Sequence, residues 1–488
     1  MKILDLMRGI PTTGLTGNGG TDVLGIAYSS KEVRPGFMFA ALRGSRTDGM
    51  GFLQEALGNG AVAVLSEWPK PPNADVAWIQ AADAREAMAL ASANFYGHPS
   101  EKLKVVGITG TKGKTTTAYI LESIIKAAGS VPGVIGTVEY RWPNFRASAE
   151  RTTPEAPDLQ KMLYDMLQAG CTHGLLEVSS HALDQKRVWG VRFDVSVFTN
   201  LSGEHMDYHH SMDGYFEAKK KLFFLNHKKD ASVVNMDDPW GKRLIAELPL
   251  RTITFGLEPA AIVQAEKFRM SENGLELQVK YPGGRITMSS KLVGKHNVYN
   301  ILAATAAALA LNIPVQAVIK GVSALRGVPG RFEIVENSFG LNIVVDYAHT
   351  DNALQNVLEA IRELKPRRII LVFGAGGNRD RGKRERMGEV AARLADWTIV
   401  TSDNPRDEDP LAIISDIEKG LRNKKSSTYE VIPDRREAIA KAIAVGKKGD
   451  YVLIAGKGHE DYQIIKDKKT RFSDVEELEA LLRGLRAV

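Results

Sequence analysis

Short apolar runs separated by Gly, Pro and Asp open the chain, as in Gly36-Phe37-Met38-Phe39-Ala40-Ala41-Leu42 and Gly60-Ala61-Val62-Ala63-Val64-Leu65. They predict the strands and helices of a small α/β domain. Polarity rises at Pro99-Ser100-Glu101 before a new apolar run begins at Val105. From there helical and strand periods alternate: a helix over 115 to about 128, then strands around Leu175-Leu176-Glu177-Val178 and Val195-Ser196-Val197-Phe198. That succession predicts a doubly wound parallel sheet. The Ala-rich run 301–311 predicts a helix ending before Pro314, and Gly327-Val328-Pro329-Gly330 marks a second boundary. Beyond it, 342–346, 368–373, 397–401 and 451–455 read as four buried parallel strands. Each ends in a polar or Gly-rich loop of the kind that holds ligands in open α/β sheets. Three α/β domains are expected, over residues 1–100, 101–330 and 331–488.

Composition agrees with that division. A chain of 488 residues exceeds one core, since domains run to roughly 100–200 residues. Hydrophobic content of 44% and charged content of 25% are ordinary for globular proteins. No apolar run approaches the roughly 20 residues of a membrane span, so no membrane partner is expected. The start, Met1-Lys2-Ile3-Leu4-Asp5-Leu6-Met7-Arg8, lacks a signal-peptide core, and Cys171 is the single cysteine. An internal disulfide or a cysteine zinc site is thereby excluded, and a cytoplasmic location is expected. The net charge of +6 comes from scattered basic residues without an aromatic-interleaved stripe. Small anionic substrates account for it, and no nucleic acid is expected.

The strongest chemical signal is Val105-Val106-Gly107-Ile108-Thr109-Gly110-Thr111-Lys112-Gly113-Lys114-Thr115-Thr116-Thr117, a strand, a glycine turn and a helix start. Such a turn gathers backbone N–H groups around the phosphates of ATP or GTP, here from Gly110 through Thr116. Lys114 adds charge, and the Thr115 hydroxyl suits Mg2+. The general pattern places its first glycine at 108, where this chain has Ile108; glycines stand at 107 and 110 instead. Glu177, at a strand's carboxyl end, is a candidate Mg2+ ligand. Thr199-Asn200-Leu201-Ser202-Gly203-Glu204-His205-Met206-Asp207-Tyr208-His209 adds histidines and acids suited to a second Mg2+, before a helix bearing Lys219, Lys220 and Lys221.

These residues resemble the Mur ligases, the ATP-dependent amide-bond synthetases of peptidoglycan assembly, over essentially the whole length. The family's phosphate loop, Gly-x-x-Gly-Thr-x-Gly-Lys-Thr, is met by Gly107 to Thr115, which accounts for the displaced glycine. The family's Asn-Leu-x-x-Asp-His is present as Asn200-Leu201-Ser202-Gly203-Glu204-His205, with Glu204 in place of the usual aspartate. The resemblance implies a central sheet like that of phosphate-loop ATPases, a Rossmann-like C-terminal domain and a small N-terminal α/β domain. It also implies one Mg2+ at Thr115 and Glu177, and a second at His205 with a carbamylated Lys219. Asn297, Arg331 and Asp346 are the further ATP contacts implied; Lys114, His205, Lys219 and Arg331 are the catalytic set.

Within the family, the resemblance is to the ligase of the third amino-acid addition. It implies that the N-terminal domain, with Ser30, Ser45, Arg46 and Thr47, meets the UDP-muramyl substrate together with Thr152, Thr153, Ser179, Gln185 and Arg187. Asp403-Asn404-Pro405-Arg406 matches the family's signature of meso-diaminopimelate addition, so the resemblance implies that substrate. The second carboxylate of that amino acid suits bidentate grip by Arg406, whereas a lysine side chain ends in an ammonium an arginine repels. Arg379, Gly456 and Glu460 complete the implied pocket. Asn378 and Ala375 depart from the family's more usual aspartate and cysteine. The implied reaction phosphorylates the D-glutamate γ-carboxylate of UDP-N-acetylmuramoyl-L-alanyl-D-glutamate with ATP, and the amine of meso-diaminopimelate then displaces phosphate. A monomer is expected. Addition of L-lysine or another amino acid, a ligase like folylpolyglutamate synthase, and a nucleotide-hydrolysing switch are the alternatives.

Overall fold

The computed structural model describes residues 1–44, 47–225, 231–248, 252–423 and 428–486. Two compact units divide the chain: Met1–Ile262 with Ala303–Val318, and Val263–Leu302 with Ile319–Val488.

The first unit contains two sheets. The smaller has the order Gly14–Thr16, Ala77–Gln80, Ala63–Ser66, Phe37–Ala41, Gly25–Ala27, parallel except for the first pair. Its strands answer the apolar runs expected at 36–42 and 60–65. Side chains alternate across a strand, so Met38, Ala40, Leu65 and Ile79 enter one core with the Ala84–Phe95 helix while Phe39, Val64 and Trp78 enter another. Both faces are covered, which is why these strands carry continuous rather than alternating hydrophobicity.

The larger sheet of this unit runs Thr252–Gly256, Ala231–Asn235, Val195–Phe198, Lys104–Thr109, His173–Glu177, Pro132–Ile135, Glu139–Trp142, Phe145–Ser148. The first six strands are parallel and the last two form an antiparallel hairpin extension. The Lys114–Ala127 helix follows the expected phosphate loop, one residue earlier at each end than the expected 115–128.

In the second unit a sheet of order Glu333–Val335, Asn342–Asp346, Tyr451–Ala455, Ile369–Phe373, Trp397–Val400, Thr428–Val431 is parallel except at its first strand. The four strands expected from the apolar pattern form its centre. Ile343, Val345, Ile370, Val372 and Ile454 pack on one face, and Val344, Leu371, Phe373 and Leu453 on the other. This unit also holds an antiparallel meander, Val263–Ser271, Gly274–Tyr281 and Gly284–Ser290, which the sequence reading did not assign. Among the described residues no helix is long and apolar enough to cross a membrane.

Candidate active site

The phosphate loop leaves the carboxyl end of Lys104–Thr109, whose neighbours His173–Glu177 and Val195–Phe198 lie on opposite sides. This switch point is where open α/β sheets form a ligand crevice. Gly110 sits at φ 143°, and a Cβ there would overlap the Thr199 hydroxyl. Gly113, at φ 87°, caps the Lys114–Ala127 helix, whose first N–H groups have no intrahelical acceptor and so favour an anion. Gly107 serves differently. It lies inside the strand, where a Cβ would stand 2.7 Å from the Phe193 ring; the displaced glycine is a packing residue beneath the loop.

Side chains from the 199–215 segment hold the loop's shape. The Asn200 amide grips the Lys112 backbone from both sides, its Oδ1 accepting from the N–H at 3.0 Å and its Nδ2 donating to the carbonyl at 3.0 Å. The Thr111 hydroxyl accepts from Ser202 N–H at 3.0 Å and contacts the Tyr215 hydroxyl at 3.3 Å. Lys114 Nζ folds over the loop onto the Gly110 and Thr111 carbonyls at 2.9 and 3.0 Å. Lys112 Nζ reaches Glu204 Oε1 at 3.1 Å, so the glutamate that replaces the family's aspartate pairs with the loop itself. Thr116 is buried in the first helical turn.

Glu177 is 1% exposed, and its carboxylate joins three segments. Oε2 accepts from the Thr115 and Thr137 hydroxyls, both at 2.9 Å, and Oε1 from Thr137 N–H at 2.9 Å. Thr137 contacts Thr152 at 3.1 Å, and the Thr153 hydroxyl donates to the Glu177 carbonyl at 2.8 Å. Hydroxyl and carboxylate oxygens suit Mg2+, which takes few protein ligands and retains water. Among the described residues no three His, Cys, Asp or Glu side chains converge on one point.

Lys219 is 1% exposed, donates from Nζ to Gly110 O at 2.9 Å, and lies 4.5 Å from the Tyr215 ring centre. Burial, reinforced by Lys114, pushes its amine well below the ordinary lysine range, against the pull of Glu204. Beside it stand His181, His205 and His209. His181 and His205 meet edge to face at 4.9 Å, the His181 and Tyr208 rings lie tilted at 4.2 Å, and His209 stacks on Tyr215 at 5.0 Å. His205 keeps an exposed face, but the crowding of its ring, with His181 and Lys114 adding to it, pushes it down to about 4. His209, bonded to Ser180 Oγ at 2.9 Å, is also pushed down to about 4. Neutral rings keep a lone pair for a cation.

The Thr153, Ser179, Gln185 and Arg187 side chains come together. Ser179 N–H donates to Thr153 Oγ1 at 3.1 Å, while Arg187 donates to Thr153 O at 2.9 Å and Gln185 Oε1 at 2.6 Å. Arg187 Nε also stands 3.0 Å from Glu155. Ser30 is buried and spends its hydroxyl on Glu55 at 2.7 Å. Thr47 is exposed and offers its carbonyl to Gly44 N–H at 2.9 Å. Ser45 and Arg46 lie outside the described residues.

In the second unit, the Arg331 guanidinium lies 4.6 Å from the Tyr347 ring centre. Asp346 shapes the adjoining turns, with Oδ2 accepting from Phe332 N–H at 2.7 Å and Oδ1 from Ala348 N–H at 2.8 Å. Asn297 is buried and uses its amide internally, donating to Val293 O at 2.7 Å and accepting from Asn300 at 2.9 Å.

The 403–406 and 456–462 loops meet in a polar cluster at the strand ends. Asn404 Nδ2 donates to Glu460 Oε2 at 2.8 Å, and Asn404 Oδ1 accepts from Ile464 N–H at 3.0 Å. Arg406, at φ 53°, donates from Nη1 to Gly377 O at 2.8 Å. Asp403 lies against Gly456, and its carbonyl accepts from Gln463 at 2.8 Å. The Pro405 carbonyl crowds Gly377, seating the turn against the 374–379 loop. Arg379 is exposed and contacts Asn378 O at 3.4 Å. Burial and the nearby Asp403 raise the Glu460 carboxyl above its usual range, against Lys457. Lys457 itself is fully buried, 3.4 Å from both Asn404 Oδ1 and Glu460 Oε2. The sequence reading passed over Lys457, Thr137, His181, Tyr208 and Tyr215; of these only Tyr208 lies within the histidine-rich 199–209 segment.

Comparison with known proteins agrees along the whole chain. Residues 108–308 match the Mur ligase middle domain, 330–458 the Mur ligase glutamate ligase domain and 22–96 the Mur ligase family catalytic domain. A UDP-N-acetylmuramoyl-L-alanyl-D-glutamate--2,6-diaminopimelate ligase of Geobacter metallireducens is 44% identical over 99% of both chains. One from Solibacter usitatus is 45% identical over 95% of this chain and 94% of that one. A solved structure of a ligase of the same name, 32% identical, superposes with a TM-score of 0.72 over 100% of this chain and 99% of the other. With that identity along its full length and the phosphate loop joined to Glu177 and Lys219 as described, the chain belongs to the Mur ligase family.

Proposed function

We propose that this ligase joins meso-2,6-diaminopimelate to UDP-N-acetylmuramoyl-L-alanyl-D-glutamate at the expense of ATP, in peptidoglycan precursor synthesis. The observation that carries the amino-acid assignment is the pocket in which Arg406 stands on Gly377 O at 2.8 Å while Asn404 holds Glu460 at 2.8 Å. A cation and an anion on rigid loop ends suit a substrate end that carries both a carboxylate and an ammonium. The names of the relatives at 44% and 45% identity support the same substrates.

The proposed N-terminal domain, 1–100, and Thr152, Thr153, Ser179, Gln185 and Arg187 bind the UDP-muramyl substrate; residues 101–330 bind ATP, and 331–488 bind the amino acid. Gly110 to Thr116 hold the phosphates, with Lys114 released from its loop carbonyls to a γ-phosphate oxygen. Arg331 is the guanidinium assigned to the phosphates. The D-glutamate γ-carboxylate oxygen attacks the γ-phosphorus and ADP leaves. The amine nitrogen then attacks the acyl carbon, phosphate departs with the C–O electron pair, and the nitrogen sheds a proton. Thr115 and Glu177 would hold one Mg2+, and His205 with a Lys219 carbamate a second; bound there, the ions would supply neutralisation where two anions approach. The buried amine supports the carbamate: a neutral nitrogen can add to CO2 and lose a proton, turning a would-be cation into an oxygen donor. A cytoplasmic monomer is the proposed setting.

Oxygen-18 in the D-glutamate γ-carboxylate tests the route. Label in the released phosphate, alongside the ligated nucleotide tripeptide, is the expected result; unlabelled phosphate contradicts the acyl phosphate.

A further inference from the structure

The pocket loops 403–406 and 456–460 spring from Trp397–Val400 and Tyr451–Ala455, which are separated in the sheet by Ile369–Phe373. Sheet hydrogen bonds therefore do not join the two loops' bases directly. Arg435 does. This first residue of the Arg435–Val445 helix donates from Nη2 to Ala455 O at 3.0 Å and from Nη1 to Ser402 O at 3.4 Å. Those carbonyls belong to the residues immediately before Gly456 and Asp403. On its other side the guanidinium meets Asp474 in a bidentate pair, Nε to Oδ1 and Nη2 to Oδ2, both at 2.7 Å. Both side chains are 0% exposed.

Such a pair is an expensive way to gain stability, because two charges leave water. Its geometry accounts for it better. A planar fork reaches two carbonyls and a carboxylate at once, which a lysine ammonium does with far less directional control. The loops it ties approach closely: a Cβ on Gly456 would lie 2.6 Å from Asp403 Oδ2, and Asn404 reaches Glu460 at 2.8 Å. Burial opposes the charge on Arg435, while Asp474, Asp403 and Glu460 outweigh it. The buried cation thus also balances the Asp403 and Glu460 carboxylates of the two loops.

We propose that Arg435, locked by Asp474, is a positioning residue for the incoming amino acid: it sets the separation of the 403–406 and 456–460 loops and so the spacing between Arg406 and Glu460. The inference rests on the amino-acid pocket assigned above.

Steady-state kinetics of the full chain, varying each of the three substrates in turn, tests it. Arg435→Lys is expected to raise KM for meso-diaminopimelate about tenfold or more, the scale of a lost charge-assisted hydrogen bond, with KM for ATP and the muramyl nucleotide within about twofold. Should Arg435→Lys fail to fold by circular dichroism, Asp474→Asn keeps the shape and one acceptor, and about a threefold rise confined to the amino acid is expected. An unchanged amino-acid KM in a folded variant overturns the proposal. So does a fall in kcat with every KM retained, which marks a general structural role. Wild-type enzyme indifferent to meso-diaminopimelate would instead refute the functional assignment, and it is measured first.

Discussion

The Thr115 hydroxyl donates to Glu177 Oε2 across 2.9 Å, tying the first turn after the phosphate loop to the end of the adjacent parallel strand. Thr137 completes the set by giving the same carboxylate a hydroxyl and an N–H, each at 2.9 Å. One buried acid therefore aligns the loop, the strand end and the Thr152–Thr153 segment. Its oxygens have the character that Mg2+ prefers.

Glu177→Gln preserves shape and removes the charge. Activity at saturating substrates is expected to fall about a hundredfold or more, as when a group stabilising the transition state is lost. The ATP concentration dependence of phosphate release, followed at several Mg2+ concentrations, checks this; near-normal kcat would remove Glu177 from the metal site.

Lys219→Met is expected to abolish ligation and yet raise stability at neutral pH in bicarbonate-free buffer. The folded chain holds the Lys219 amine well below the ordinary lysine range, so the unfolded chain binds an extra proton across that interval. Stability of the parent therefore rises with pH through the interval, and the advantage of the methionine variant shrinks as pH approaches the ordinary lysine range. Thermal unfolding across pH measures the difference. A variant less stable at every pH contradicts the strained-lysine account.

His205 and His209 protonate at about 4 in the folded chain against 6.5 for an unperturbed ring. Between those values the unfolded chain binds more protons, so stability falls as pH drops through the window and levels off below it. His209→Asn is expected to flatten part of that slope. Ring NMR titration checks the cause directly: resonances of His209 that move near pH 6.5 rule it out.

Gly107→Ala places a methyl 2.7 Å from the Phe193 ring and 3.1 Å from Leu222. Overpacking of this kind costs about 1–3 kcal/mol. Chemical denaturation measures it, and Phe193→Leu in the same chain is expected to restore part of the loss. A neutral Gly107→Ala would return the glycine to the phosphate site.

Much of this was legible because parallel strands buried on both faces read as unbroken apolar runs, and strand ends then mark ligand loops. Glu177 was singled out by its strand end, and Gly110, Lys114 and Thr115 by the glycine turn that follows such a strand. Thr137 was not, because its link to Glu177 spans forty positions and follows from strand pairing rather than spacing. Arg435 and Asp474 belong to no motif the sequence reading singled out; only the packed fold makes them a buried pair. Residue identity also did not reveal that Ser30 and Asn297 spend their polar atoms on Glu55 and on Val293 and Asn300. The meander over 263–290 alternates polar and apolar positions, Gly274–Tyr281 with the burial of a half-covered sheet. Its signal per strand is weak beside the long apolar runs.

Arg406→Ala is expected to raise KM for meso-diaminopimelate roughly ten- to a hundredfold, the loss of a charge-assisted contact, while leaving KM for ATP nearly unchanged. Initial-rate measurements settle it, and an unaltered amino-acid KM removes Arg406 from the pocket.

The central claim is the identity of the reaction, and phosphate release from ATP and Mg2+ with the muramyl dipeptide nucleotide tests it most directly, run in parallel with meso-diaminopimelate, with L-lysine and with no amino acid. Release that requires both the nucleotide and meso-diaminopimelate, and is much slower with L-lysine, is the predicted result. Equal release with L-lysine, or release with neither cosubstrate, would contradict the account.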